Sequence, residues 1–350
     1  GVDILESKNN TKNVKYKNVK FLRKIIKTDN IGDIIRRSKN IEEVAMEFIK
    51  IIDYYKNVIK IEKPDIIIIN GTYYIPWCLL RAAKSSKCKI VIHYHGILTK
   101  ETEHWDDESR KKFFQMEKMF INDEYFYIFP SSLTKNTVEN IFNKKIINFS
   151  VLPNPVPLDF FKYYKIKDIN NRVNKIPKLG FVLRWSSIKN IEFIRSFIYY
   201  NILNKKYKRR YFEIFIITDK NISDIGLNFK ESLKIIKPMD SIGLIKFYKK
   251  MDIIFCPSKF ETYGNVAMEA LSVGTQVLVN NDMGIVEVLR QNNLEKNIKN
   301  LKKDFIEDVY KKCFILSDTA IDKKTIKFIQ EKYSSEIIGE RFFNIISEKL

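Results

Sequence analysis

The sequence predicts an α/β protein with two Rossmann-like domains, each built on a doubly wound parallel sheet. Three observations support this prediction. A length of 350 residues is typical of two domains. Short apolar runs bounded by turn residues alternate with helical periodicity along both halves. One stretch in the second half has the order strand, loop, helix, strand, which is a parallel crossover unit.

In the first half, helical periodicity over Ile41–Ile59 precedes the apolar run Ile66–Ile69. That run ends at Asn70-Gly71 and predicts a buried parallel strand. The further predicted elements are a helix over Tyr74–Lys87, strands over Lys89–Tyr94 and Phe126–Phe129, and a helix capped by Ser131 or Ser132 that runs to about Phe142.

A proline-rich stretch, Pro153–Pro157, and a polar stretch, Lys165–Lys178, favour a domain boundary. We therefore expect an N-terminal domain over residues 1–160, a linker over 161–177 and a C-terminal domain over 178–333. The tail, residues 334–350, is predicted to be a helix, with a return to the N-terminal domain as an alternative.

The second half continues the alternation of strands and helices. The predicted elements are strands over Lys178–Leu183, Phe212–Thr218, Ile253–Cys256 and Gln276–Val279, and helices over Asn190–Leu203, Asp240–Lys249 and Asn265–Val273. Gly274 is the expected stop of the last helix.

Two carboxylates, Glu261 and Glu269, flank the start of the predicted helix Asn265–Val273. Ligands of open parallel sheets bind at the carboxyl ends of the strands, where this loop would lie. Gly264 lets the backbone approach a ligand, and the N–H groups that open the helix favour a diphosphate. Glu269, one turn into the helix, and Glu261, in the loop, would then reach hydroxyl groups on either side of that anion. This describes a nucleotide sugar; the alternative is a pair of solvated surface charges.

Two basic residues follow another predicted strand of the same half. Arg184 comes at the strand's end, and Lys189 lies at the mouth of the next helix. Two cations beside a helix N-terminus can hold a diphosphate without a metal and stabilise it as it leaves.

The spacing of Glu261 and Glu269, within Pro-Ser-x-x-Glu-x-x-Gly-x-x-x-x-Glu-Ala, resembles the signature of family 4 retaining glycosyltransferases, which have the GT-B fold. Further segments are similar to those of the family and occur in its order: His95-Gly96, Asn154–Phe161, Leu183–Asn190 and Met283–Val288. Leu183 and Met283 stand where the family has glycine.

The resemblance implies two domains that face each other across a cleft, with a nucleoside-diphosphate sugar bound mainly to the C-terminal one. A hexose would move to a glycan or a lipid-linked acceptor with retention of configuration and without a metal or other cofactor. Glu269 would hold the ribose, Glu261 the hexose, and His95 would contact the sugar from the N-terminal domain. The predicted donor-binding residues are Arg184, Lys189, Glu261, Thr262, Tyr263, Gly264, Asn265, Val266 and Glu269.

The family opens with a short strand and a glycine-rich loop. The first residues here, Gly1–Leu5, resemble the second strand of such a domain instead. We therefore expect an N-terminal domain that lacks its first strand and glycine-rich loop. The alternative function is a catalytically silent GT-B-fold binding or scaffold protein.

The net charge of +20 favours polyanionic partners, of which nucleic acid is the least expected. Arg110–Phe120 mixes basic and bulky apolar residues, so it predicts either a helix on an anionic membrane surface or an ordinary amphipathic helix. With no apolar run of transmembrane length and no signal-peptide pattern, we expect a soluble, cytoplasmic protein, with a peripheral position on the inner membrane face as an extension.

All three histidines, His93, His95 and His104, lie close to acidic residues in the sequence. His93 and His95 point to the same side of the predicted strand, which is a spacing that metal ligands use. A metal hydrolase is therefore an alternative, although the segment lacks His-Glu-x-x-His.

Overall fold

The computed structural model describes residues 2–5, 22–164, 175–221 and 233–349. The chain forms two compact units. Unit 1 comprises Gly1–Phe129 and Val138–Ser150, and unit 2 comprises Pro130–Thr137 and Val151–Lys349. Each unit contains a parallel sheet with helices between its strands, which confirms the predicted α/β class.

Unit 1 is built on a four-stranded sheet of order β3-β4-β5-β6, and a separate parallel pair, β1-β2, precedes it. The strands are β1 (Val2–Leu5), β2 (Leu22–Ile25), β3 (Ile66–Asn70), β4 (Lys89–His93), β5 (Phe126–Phe129) and β6 (Phe149–Val151). The helices are α1 (Ile31–Arg37), α2 (Ile41–Glu47), α3 (Ile49–Glu62), α4 (Tyr74–Ala83), α5 (Leu98–Glu101), α6 (Asp107–Lys118) and α7 (Ser132–Phe142). The first part of α7, as far as Thr137, belongs to unit 2. The chain that joins β1 to β2 lies outside the described residues.

The predicted helix Ile41–Ile59 is in fact two helices, α2 and α3, which break at Phe48. The Phe48 ring is fully buried and stacks on Tyr74 with ring centroids 5.1 Å apart. Tertiary packing of this one aromatic side chain overrides the continuous helical pattern of the sequence.

Helix α6 carries the mixed basic and apolar stretch. Phe113, Met116 and Phe120, in and just after α6, are fully buried within unit 1. On its exposed side Arg110 pairs with Asp107 and Lys111 pairs with Glu108. The apolar side is thus occupied by the protein's own core, as the amphipathic-helix alternative predicts.

Unit 2 is built on a six-stranded parallel sheet of order β12-β11-β10-β7-β8-β9. Its strands are β7 (Lys178–Val182), β8 (Glu213–Ile217), β9 (Leu233–Ile236), β10 (Ile253–Cys256), β11 (Gln276–Asn280) and β12 (Ile298–Lys299). Its helices are α8 (Leu158–Lys162), α9 (Ile191–Lys206), α10 (Ser241–Lys250), α11 (Asn265–Ser272), α12 (Val286–Gln291), α13 (Ile306–Ser317), α14 (Lys323–Tyr333) and α15 (Ser335–Lys349). Counted along the chain, this is the Rossmann order 3-2-1-4-5-6, whose switch point lies between β7 and β10.

Both faces of this sheet are buried. Along β10, Ile253 and Phe255 belong to one hydrophobic core and Ile254 and Cys256 to the other. Successive side chains of a strand point to opposite faces, so a continuous apolar run fills two cores at once. This is why the β10 sequence shows no polar alternation.

The division into units differs from the predicted boundaries. Phe160, predicted to end the N-terminal domain, and Phe161, predicted to begin the linker, are both buried in the core of unit 2. The rest of the predicted linker includes residues 165–174, which lie outside the described residues. Helix α15 belongs to unit 2. Among the described helices, none combines the length and the hydropathy needed to cross a bilayer.

Candidate functional site

The candidate site lies at the switch point of the unit 2 sheet, where the segments after β7 and β10 come together. A short 3-10 turn, Ser187–Lys189, follows β7, and the motif loop, defined here as residues 257–264, follows β10. The Lys259 N–H donates to the Ile188 carbonyl over 2.8 Å and links the two. The carboxyl ends of strands at a switch point are where ligands of this fold class bind.

Lys189 and Glu261 form an ion pair across this junction, each with 23% of its side chain exposed. The Ser258 hydroxyl donates to the same Glu261 carboxylate over 2.8 Å. The sequence placed these two charges at one sheet edge without predicting that they touch. A half-buried pair held by a third group has a defined geometry, unlike a solvated surface pair.

The backbone of the motif loop is held by hydrogen bonds from two other segments of unit 2. The carbonyls of Glu261 and Tyr263 accept hydrogen bonds from the N–H groups of Gly284 and Ile285. The Thr262 carbonyl between them accepts from two buried hydroxyls, those of Ser131 and Thr134, over 2.6 and 2.8 Å. Three consecutive carbonyls are therefore satisfied.

Helix α11 begins directly after this loop. Gly264 has a φ of 120°, a backbone angle that favours glycine, and a Cβ there would crowd the Ile285 side chain at 3.0 Å. The Ala267 N–H, predicted to be available to an anion, donates to the Gly264 carbonyl instead. Within the described part of the chain, the N–H groups of Asn265 and Val266 have no such partner, so they remain for a ligand.

Glu269 is half-buried on α11 and accepts a hydrogen bond of 2.8 Å from the Tyr248 hydroxyl. Burial raises the pKa of the Glu269 carboxyl, although the Tyr248 hydrogen bond acts in the opposite direction. The pKa of the buried Cys256 thiol is raised to about 12, mainly by burial. The negative charges of Glu261 and Glu269 both act in the same direction. The two carboxylates therefore belong to one electrostatic environment.

The remaining predicted donor-binding residues of unit 2 differ in accessibility. Arg184 is exposed and forms no ion pair with a described residue, so its guanidinium is available to an anion. Tyr263 is only 2% exposed, so its ring belongs to the core and its backbone alone can serve the loop. Asn265 is exposed, and its side-chain oxygen accepts from Asn154 over 2.9 Å.

His95 belongs to unit 1 and follows β4. Its ring lies beside that of His93, with ring centroids 4.2 Å apart. Burial lowers the pKa of both imidazoles, that of His93 to about 3, with a further contribution from the charge of His95. Among the described residues no group of three or more His, Cys, Asp or Glu is placed to hold a metal ion, so the metal-hydrolase alternative finds no site in them.

Four residues of the site were not predicted. Ser258 stands within the Pro-Ser-x-x-Glu motif, and its spacing to Glu261 was the available signal. Tyr248, Ser131 and Thr134 act on the motif from other elements, and nothing local in the sequence connects them to it.

Two family models match the chain. The model of Glycosyltransferase Family 4 matches residues 41–160, and that of Glycosyl transferases group 1 matches residues 225–308. An uncharacterized glycosyltransferase of Methanocaldococcus jannaschii is 40% identical over 47 residues, which is 13% of this chain and 12% of that relative. The chain is thus aligned with a small part of the curated relative that it matches.

Solved structures with the same fold cover both halves of the chain. A sucrose-phosphate synthase from Thermosynechococcus elongatus matches with a TM-score of 0.65 and 13% identity, over 88% of this chain and 79% of that one. A glycosyltransferase from Rickettsia africae matches with 0.62 and 16%, over 94% and 85%. A lipopolysaccharide outer core galactosyltransferase in its apo form matches with 0.64 and 15%, over 95% and 85%. These likenesses confirm the GT-B fold class, and the family models confirm the resemblance to family 4.

Proposed function

We propose that this chain, a family 4-like glycosyltransferase of the GT-B type, is a retaining enzyme that moves a hexose from a nucleoside-diphosphate sugar to a hydroxyl of a glycan or lipid-linked acceptor. The observation that carries the proposal is the Lys189–Glu261 ion pair at the switch point of the unit 2 sheet, beside the start of α11. A cation, a carboxylate and a helix N-terminus close together are groups that can bind a diphosphate and the sugar attached to it, which supports the proposal.

In the proposed reaction the bond between the anomeric carbon and the diphosphate oxygen breaks. The acceptor oxygen bonds to the same face of that carbon, and the acceptor proton leaves with the nucleoside diphosphate. Arg184 and Lys189 hold the diphosphate as negative charge develops on it. Lys189 has three N–H donors, so it can keep Glu261 oriented and contact the diphosphate at the same time.

The two glutamates have separate proposed roles. Glu261, oriented by Lys189 and Ser258, binds hydroxyls of the donor hexose. Glu269, oriented by Tyr248 one turn into α11, binds the ribose hydroxyls. The proposed contact of His95 with the sugar rests on the family resemblance alone.

The test is transfer from labelled UDP-, GDP- and ADP-sugars, together with a thermal-shift panel of the free nucleoside diphosphates. We expect one nucleotide series to stabilise the protein and support transfer. Lys189→Met should lose both effects, whereas Lys249→Met, at the exposed end of α10, should lose neither. Nucleotide binding without transfer from any donor would favour the alternative, a catalytically silent binding or scaffold protein.

Metal independence is part of the proposal, because Arg184 and Lys189 supply the charge that a metal would otherwise bring. Transfer should continue in excess EDTA. Activity that disappears in EDTA and returns with magnesium, manganese or zinc would contradict it.

The acceptor and the cellular location are proposed from the resemblance, as a cytoplasmic protein that works on the inner membrane face. The apolar side of α6 is buried, so membrane contact cannot rest on Phe113. The basic run Lys205–Arg210 in unit 2 is exposed throughout and offers positive charge to anionic lipid. Salt-sensitive binding to DNA or RNA in preference to anionic vesicles would favour the nucleic-acid alternative.

A further inference from the structure

The first turn of α7 bonds to the motif loop through two buried hydroxyls. Ser131 is 1% exposed and Thr134 is 0% exposed, and both hydroxyls donate to the Thr262 carbonyl. The two hydroxyl oxygens are also 3.0 Å apart, and the Thr134 N–H donates to the Ser131 hydroxyl oxygen over 3.1 Å. The loop is thus held by a compact polar cluster rather than by a single contact.

A carboxylate of unit 2 fixes this turn of α7. Glu287, on α12, accepts from the Leu133 N–H over 3.0 Å and from the Ser132 hydroxyl over 3.2 Å. Negative charge is favoured beside the N–H groups that open a helix. The turn that carries Ser131 and Thr134 is therefore bonded to α12 as well as to the loop.

Gly284 lies so close to Thr262 and Ser131 that no larger residue fits at this position. A Cβ at Gly284 would lie 2.3 Å from the Thr262 carbonyl oxygen and 2.6 Å from the Ser131 hydroxyl. The neighbouring carbonyls, of Glu261 and Tyr263, bond to backbone N–H groups. The hydroxyl pair is therefore the part of the loop's support that side-chain substitution can remove cleanly.

We propose that Ser131 and Thr134 are positioning residues, which hold the Thr262 carbonyl so that the neighbouring Glu261 keeps the geometry needed for transfer. This inference rests on the proposed function and adds residues to it. Thr262 directly follows Glu261, so a loop released at Thr262 moves the carboxylate that would orient the hexose. Glu269 and its partner Tyr248 lie on α11 and α10 and are not held by the pair.

The test compares Ser131→Ala combined with Thr134→Val against Thr137→Val. Thr137 lies one turn further along α7, and its hydroxyl donates to the Leu133 carbonyl of the same helix. We expect the double variant to lower kcat for transfer by roughly tenfold to hundredfold, as small misplacements of a reacting group do. Its affinity for free nucleoside diphosphate should stay within about twofold, and the Thr137 variant should match the wild type.

Hydrogen exchange of the ligand-free proteins separates this inference from the proposed function. The Gly284 and Ile285 amides should exchange faster in the double variant than in Thr137→Val. Thr134→Ser keeps a hydroxyl at this position, so its amide exchange and its kcat should match those of the wild type. Faster exchange in a protein that transfers no sugar would sink the proposed function and leave the positioning role standing. Equal exchange and equal kcat in the double variant and in Thr137→Val would overturn the inference.

Discussion

The two glutamates of the motif have different surroundings in the ligand-free protein. Glu261 forms an ion pair with Lys189 and accepts a hydrogen bond from Ser258. Glu269 is shielded from water and accepts a hydrogen bond from the neutral Tyr248 hydroxyl. Burial raises the pKa of the Glu269 carboxyl. Hydroxyl groups of a bound ribose would donate hydrogen bonds to the Glu269 carboxylate and lower the free-energy cost of its burial, which favours a binding role for Glu269.

We therefore predict a clean division between the two residues. Glu269→Gln keeps an acceptor for the Tyr248 hydroxyl but loses charged hydrogen bonds worth roughly 1.5–3 kcal/mol. The dissociation constant of the nucleoside diphosphate and the donor KM should both rise by roughly ten- to hundredfold. Glu261→Gln should lower kcat and leave nucleotide affinity within about twofold.

Calorimetry of both variants with the free nucleoside diphosphate decides this prediction. Glu192→Gln is the control, because that side chain is 74% exposed on α9. Loss of nucleotide affinity in Glu261→Gln, with affinity kept in Glu269→Gln, would invert the assignment. No change in either variant would mean that the pair is surface charge.

Glu117 is a buried carboxylate of unit 1 with four hydrogen bonds. It accepts from the N–H groups of Leu98 and Thr99 and from the hydroxyls of Thr72 and Thr99. Burial raises the pKa of the Glu117 carboxyl even so, because the hydrogen bonds that lower it do not outweigh the desolvation. The folded protein thus holds this proton more tightly than the unfolded chain does.

A raised folded-state pKa sets the sign of the pH dependence. The stabilisation is fully present below the unfolded pKa and is lost as pH rises through the folded pKa. Urea denaturation over a pH series should show the advantage of the wild type over Glu117→Gln shrinking as pH rises. The exposed Glu103→Gln serves as the control and should track the wild type. An advantage that grows with pH would contradict the prediction.

Among single residues of the site, the sequence predicts those that stand in a local pattern. Lys189 follows a strand and Glu261 follows another, so their shared sheet edge could be inferred. Thr134 lies 128 residues from Thr262, and nothing in its own neighbourhood marks it. Contacts that depend on how distant segments pack cannot be read from a single sequence, because local pattern carries no information about them.

Elements were predicted best where they are long or apolar on both faces. Strand Phe126–Phe129 was predicted with its observed bounds, and β10 likewise. Strand β12 has two residues, and helix α12 has six, which is too short for periodicity to show. The break at Phe48 was missed because its cause is a stacking partner, Tyr74, on another helix.

Two glycines of unit 2 should respond in opposite directions to the same substitution. Gly284→Ala places a methyl group 2.3 Å from the Thr262 carbonyl oxygen, an overpacking that costs roughly 1–3 kcal/mol. Gly339→Ala, in α15, meets nothing within 4 Å and should gain roughly 0.5–1 kcal/mol from helix propensity. Urea denaturation of both variants checks the signs, and a Gly284→Ala protein as stable as the wild type would contradict the close approach.

Helix α6 is predicted to stabilise unit 1 through its buried apolar side. Phe113→Ala should cost roughly 3–5 kcal/mol, because the ring is fully buried. Ile61→Ala, at a side chain that is 70% exposed on α3, should cost little. Binding to anionic vesicles, measured at equal folded concentration, should be the same for both variants. Reduced vesicle binding by folded Phe113→Ala protein would restore the membrane role of this helix.

For the whole molecule, composition and strand pattern predict the class of fold but not the division of the chain. Residues 130–137 belong to unit 2, where Ser131 and Thr134 bond to Thr262, more than a hundred residues away in the sequence. The predicted boundary near residue 160 followed proline and polar content, which mark a surface segment but not the unit it packs on. The buried pair Phe160 and Phe161 shows the limit of that rule.

We expect the nucleotide to act on unit 2. Lys189, Glu261, Glu269 and the start of α11 all belong to unit 2. A ligand stabilises the state that it binds, so free nucleoside diphosphate should slow amide exchange in the motif loop and α11 first. The strands β3 to β5 of unit 1 should exchange as they do without ligand, and Lys189→Met should abolish the change in unit 2. Slower exchange confined to unit 1 would mean that the nucleotide binds there, and that the ion pair at the switch point is not its site.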